Sequence, residues 1–213
     1  MNGQSKTEKL ESKSPLLLSL LILPLTFASF FFLPQVLGKT AGYLASFSIY
    51  WLYCLLHGMQ LKGNNLAKLY TWPPLTRQNV LLLLLCFVPV LGAFSGAFLT
   101  FYHHLNLTLY LILAAAALVN GFVEEFYWRG AFISRYKQHM GLAFVFPATL
   151  FGLWHISVYA AHGVSYQGGF LPLVGGLWGY VVYKQQRVLA PTIAHILTNF
   201  FAFSGLLVEN WVR

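Results

Sequence analysis

The sequence contains no aspartate. Its 213 residues carry only five carboxylate side chains, all of them glutamate. Charged residues make up 8% of the chain and hydrophobic residues 58%, whereas a soluble domain carries roughly 25% charge. So few charges do not clothe a water-facing surface, and a soluble monomer is excluded. The same hydrophobicity excludes disorder, which needs the opposite composition. The missing aspartate removes a Ser-His-Asp set. No HExxH zinc motif is present either. Cysteine is scarce: Cys54 and Cys86 lie inside apolar segments, form neither a disulfide framework nor a zinc motif, and read as small packing residues.

What remains is apolar sequence punctuated by cations. A polar stretch, residues 1–14, reads as a cytoplasmic tail holding Glu8 and Glu11. Seven apolar segments follow, at about 15–37, 41–57, 79–101, 107–134, 141–160, 168–184 and 188–208, against about 20 residues needed per bilayer-crossing helix. The second and sixth are at the short limit and the fourth is longer than a span requires. The first is too long, and lacks the small-residue cleavage site, for a signal peptide. The expected fold is an all-α integral membrane bundle of about seven helices, or eight if the loop at 58–78 hides a re-entrant piece. One domain covers 15–208, with a motif-bearing core at 107–208 and a short tail at 209–213.

The formal net charge is +8, but the cations sit in short loops. With the N-terminus inside, the inner segments hold Lys6, Lys9, Lys13, Lys62, Lys68, Arg77, Arg135, Lys137, Lys184 and Arg187, and the outer ones only Lys39 and Arg213. This is the pattern of membrane orientation, not of nucleic-acid binding. Gly92-x-x-x-Gly96 and Gly175-x-x-x-Gly179 have the spacing that lets helices approach in lipid. Trp72, Trp154 and Trp211 are placed as interfacial belt residues. His57, His103, His104, His139 and His162 fall at segment ends or in loops, where solvation explains them.

Ionisable groups inside apolar segments are costly and mark functional positions. Segment four reads GFVEEFYWRG. Glu125 and Arg129, four apart with the acid first, can pair on one helix face. Glu124 lies about 100° round the helix, away from Arg129, and a carboxyl left without a cation in a low-dielectric interior suits general acid–base work. Segment five carries Phe151 and His155 at the same spacing, and segment seven carries His195 and Asn199. Counted from the inner segment ends, Glu124, His155, His195 and Asn199 fall at about 10–21 Å depth. One shared polar layer is the expectation.

Glu124-Glu125-x-x-x-Arg129, Phe151-x-x-x-His155 and His195-x-x-x-Asn199, in that order on separate segments, resemble the three motifs of the CPBP intramembrane proteases, which include the type II CAAX prenyl endopeptidases and Abi-type proteins. The resemblance implies a cavity open to the cytosol and a glutamate-dependent peptidase acting on a peptide or membrane-protein substrate, including C-terminal or lipidated peptides. It implies Glu124 as general base, acting with His155 on a water. It implies His195 and Asn199 as oxyanion donors, with Glu125, Arg129 and Phe151 in support. No cofactor or nucleic acid is expected. The alternative is a zinc-dependent membrane protease with Glu124, His155 and His195 as ligands. A non-catalytic immunity or scaffold protein of the same family, or a small proton-coupled transporter, are readings of other classes. The short chain resembles bacterial members, which gives the inner (cell) membrane, N-terminus cytoplasmic, as the expected location.

Overall fold

A computed structural model describes residues 14–161 and 170–208. Glu8, Glu11, His162, Glu209 and Trp211 lie outside the described residues.

Among the described residues every regular element is a helix, with no strand. Helix α1 runs over Pro15–Leu37 and α2 over Lys39–Leu61. Gly38, at φ 81°, makes the one-residue turn between them, a left-handed backbone that glycine adopts without penalty. Helix α3 spans Arg77–His104 and α4 Leu107–Tyr136. Their starts follow from capping: Thr76 accepts from Asn79 N, and Asn106 from Leu109 N, each satisfying a helix donor that otherwise lacks a partner. Gly141–Val145 continues into Phe146–Ala161 as α5, followed by α6, Phe170–Gln185, and α7, Leu189–Leu207. Four of these, α1, α3, α4 and the Gly141–Val158 part of α5, are long and apolar enough to cross a membrane.

Two expectations change. The second apolar segment, placed at the short limit, becomes a 23-residue helix ending at Leu61. His57 is therefore buried inside it rather than solvated: it contacts Tyr127 Oη at 3.1 Å and Pro15 O at 2.9 Å. The loop at 58–78 holds only the single turn Leu66–Leu69, too short for a re-entrant piece.

Helix α4 is the middle of the bundle. Every residue from Val123 to Ile133 is buried, so this stretch is enclosed on all sides. Within it the α-helix widens to a π-helical turn over Phe126–Ala131. Helix α2 packs on this turn, α7 packs along α4, α1 packs on α2 and α5, and α6 packs on α5. Two apolar cores result. One gathers residues of α1, α2, α4 and α5, including Tyr50, Tyr127, Trp128, Phe151 and Trp154. The other gathers Leu82, Cys86 and Val90 of α3 with Val174, Trp178 and Ala194 of α6 and α7. Cys54 and Cys86 are buried and free, one in each core. Trp154 is 3% exposed and packs in the first core, so it is not a belt residue. Trp72 is exposed.

Association of helices in lipid depends on close packing rather than on water exclusion. The two small-residue motifs divide on this point. Phe144 lies beside Gly179, and the Phe151 ring occupies the space that a Cβ on Gly175 would need. Gly92 and Gly96 meet nothing within 4 Å, so that motif does not pack helices within the described residues. The contact that seats α7 on α4 is made by Gly121, a glycine outside either motif. A Cβ there would stand 2.9 Å from Ile196 N and 3.0 Å from its Cα. Gly121→Val is expected to destabilise the protein by about 1–3 kcal/mol through overpacking, read as a lowered melting temperature in detergent. Gly92→Ala, at an open position, is expected to leave it unchanged or slightly raised.

Candidate active site

Four charged or ionisable side chains from two helices meet between the two cores. Arg129 Nη1 lies 2.8 Å from Glu125 Oε1, one helical turn away on α4. The imidazole of His195, from α7, stands against both carboxylates: Nδ1 is 2.9 Å from Glu125 Oε1, and Nε2 is 3.2 Å from Glu124 Oε2. Glu124 and Glu125 are fully buried, and Arg129 and His195 nearly so. Adjacent helical positions are separated by about 100°, yet this does not part the two glutamates. Their side chains converge on one imidazole because Gly121 lets α7 approach within reach of both.

The surroundings explain why these charges stay in place. Arg129 Nη2 donates to Gly175 O at 3.1 Å, and its guanidinium lies 4.4 Å from the Phe151 ring centroid and 5.9 Å from that of Trp178, where a cation is attracted to the ring face. Trp178 also lies along His195, ring centroids 4.5 Å apart, and donates Nε1–H to Cys86 O. Phe151 acts through its backbone as well. Its carbonyl is 2.9 Å from His155 Nδ1, which fixes that half-buried ring. His155 packs edge-on to Trp154 at 4.1 Å. Helix α2 supplies a contact that the motifs do not contain. Tyr50 Oη donates to Glu124 Oε1 at 2.8 Å, and Trp128 Nε1 donates to Tyr50 Oη at 2.9 Å.

Several polar atoms here are buried without a hydrogen-bond partner: Glu124 Oε2, Glu125 Oε2, Asn199 Nδ2 and Trp154 Nε1. Leaving such an atom unmatched costs about 1–3 kcal/mol, and a group of them is the signature of a site that completes its bonding with something else. Asn199, 8% exposed, follows His195 by one turn but makes no side-chain hydrogen bond among the described residues. Of the two polar side chains on this face of α7, His195 alone meets the carboxylates. The expected opening to the cytosol is also not seen at Glu124, which has no exposed surface. Tyr50, Phe151 and Trp178 each touch a member of the cluster.

Glu124, His155 and His195 do not gather as a metal-ligand group. Among the described residues no three His, Cys, Asp or Glu side chains are placed to hold an ion. His195 turns both ring nitrogens to carboxylates, and His155 turns Nδ1 to a backbone carbonyl.

Residues 106–201 match the family model described as type II CAAX prenyl endopeptidase Rce1-like. The matched segment holds all three motifs and supports the CPBP/CAAX protease family for this chain. No curated protein and no solved structure matches it. The family and the apolar helices together point to an integral membrane protease.

Removing one member of a buried ion pair is far costlier than removing both. Arg129→Ala, which leaves Glu125 with His195 in place of a full ion pair, is expected to cost about 3–5 kcal/mol, and the double change Arg129→Met with Glu125→Gln to recover part of that. Thermal unfolding of the two variants in the same detergent checks the order.

Proposed function

With the CAAX protease family as premise, we propose that the chain is an intramembrane endopeptidase that hydrolyses a peptide bond with a water activated by Glu124. The observation that carries this reading is the cluster itself: a carboxylate oxygen, Glu124 Oε2, that is buried, unmatched and 3.2 Å from an imidazole nitrogen. An oxygen in that condition is a proton acceptor held ready for a reacting group.

Glu124 Oε2 takes a proton from the water while the water oxygen bonds to the scissile carbonyl carbon. His155, fixed by Phe151 O, orients that water together with Glu124. The oxyanion that forms needs donors. His195 Nε2 and Asn199 Nδ2 come from one face of α7, and the latter has no competing partner. Removing one such donor typically costs roughly 3–4 kcal/mol of barrier. The C–N bond then breaks, and the proton held by Glu124 passes to the leaving amine. Glu125 and Arg129 keep the imidazole in place and touch neither substrate nor water.

The proposed substrate is a peptide or membrane protein, with a prenylated C-terminal peptide as the first probe. The proposed location is the bacterial inner membrane with the N-terminus inside. Purified protein is expected to cleave an internally quenched farnesylated CAAX peptide. Glu124→Gln, His155→Ala and His195→Ala are each expected to lower the rate at least about 100-fold, with unchanged yield and melting temperature for the first. Activity that survives any two of these changes overturns the mechanism. Cleavage by metal-free protein in the presence of a chelator is expected to continue. Loss of activity that added zinc restores would establish the metal-dependent alternative instead.

A further inference from the structure

We propose that Tyr50, on a helix outside the segment that matches the family, is a positioning residue that fixes which oxygen of Glu124 is free to act. The proposal rests on the reading of Glu124 as the general base and adds a part that the three motifs do not supply.

The phenol has one proton to give. Its oxygen accepts from Trp128 Nε1 at 2.9 Å and lies 2.8 Å from Glu124 Oε1. The indole N–H is only ever a donor, so it occupies a Tyr50 lone pair and the phenol proton is directed to the carboxylate. Trp128 follows Glu124 by one helical turn, so the three groups close a triangle against α4. The Tyr50 ring is held independently, stacked on Trp154 with centroids 4.2 Å apart and planes 15° from parallel. All three aromatic residues are buried, which keeps water from competing for these bonds.

The terminal torsion of a glutamate is soft and roughly two-fold. A carboxylate without fixed partners exchanges its oxygens freely. Tyr50 removes that freedom: Oε1 is committed to the phenol, and Oε2 is left facing His195 Nε2. Trp154 links this arrangement to the other side of the site, since it touches both the Tyr50 ring and the His155 ring. The same aromatic contact therefore bears on the carboxylate and on the imidazole proposed to share the water.

Tyr50→Phe deletes the bond and keeps the ring stack. A hydrogen bond to a charged group is worth about 1.5–3 kcal/mol, or roughly 10- to 100-fold in rate. On the farnesylated peptide, kcat is expected to fall by that factor, with KM within about twofold and a melting temperature lowered only as far as the loss of buried hydrogen bonds requires. Trp128→Phe, which leaves the Tyr50–Glu124 bond but frees the phenol to turn, is expected to fall between. A second readout needs no substrate. The infrared carboxylate stretch that disappears in Glu124→Gln is expected to shift in Tyr50→Phe, because Oε1 loses its donor. An unchanged kcat overturns the proposal, as does a fall in kcat with the band unmoved, which would mark a structural effect. A wild-type protein that cleaves nothing, with the band still shifted in Tyr50→Phe, overturns the peptidase reading, and with it Tyr50's part in catalysis, while its hold on Glu124 stands.

Discussion

The bundle is organised by the need to keep two adjacent carboxylates buried without leaving either uncompensated. Taking even one charge out of water costs several kcal/mol after relaxation, and Glu124 and Glu125 are both fully enclosed. Three helices answer that cost. Helix α4 supplies Arg129 from within its own turn, α7 supplies one imidazole that serves both acids, and α2 supplies a phenol for the other oxygen of Glu124. Gly175 and Phe151 then hold Arg129 by a carbonyl and a ring face.

The cluster also joins two otherwise separate apolar cores. Phe151 and Trp128 belong to one, and Trp178 and Ala194 to the other. His195 is flanked by Phe151 on one side and Trp178 on the other. Apolar packing alone gives little direction in lipid. A shared imidazole that must reach two fixed carboxylates sets how the halves meet.

Much of this is legible in the sequence for definite reasons. Long apolar runs between cation-bearing loops place the helices, because a bilayer admits little else. Four-residue spacing places Glu125 against Arg129 and sets His195 and Asn199 on one face. Spacing within a helix is silent about partners on other helices. It does not indicate that His195 reaches both acids, or that Asn199 Nδ2 finds no partner. Tyr50 escapes a sequence reading because it is one of 12 tyrosines in a chain rich in aromatics, with no local pattern to single it out. His57 reads as solvated because hydropathy ends its segment there; the helix continues to Leu61 and encloses it. Trp154 reads as an interfacial ring for the same reason, since depth within a span depends on ends that hydropathy leaves loose.

The unbroken burial of Val123–Ile133 has a consequence for how this chain tolerates change. On α3 most side chains between Arg77 and His104 are exposed or half-buried. A random substitution there meets lipid, which accommodates any apolar shape. In the central stretch of α4 each side chain meets other side chains, so a change in one alters the space left for its neighbours. Variation in α3 is free to accumulate one residue at a time, whereas variation around the two glutamates must arrive in compensating sets. Two helices of similar length and composition are therefore held to different rates of drift by position alone.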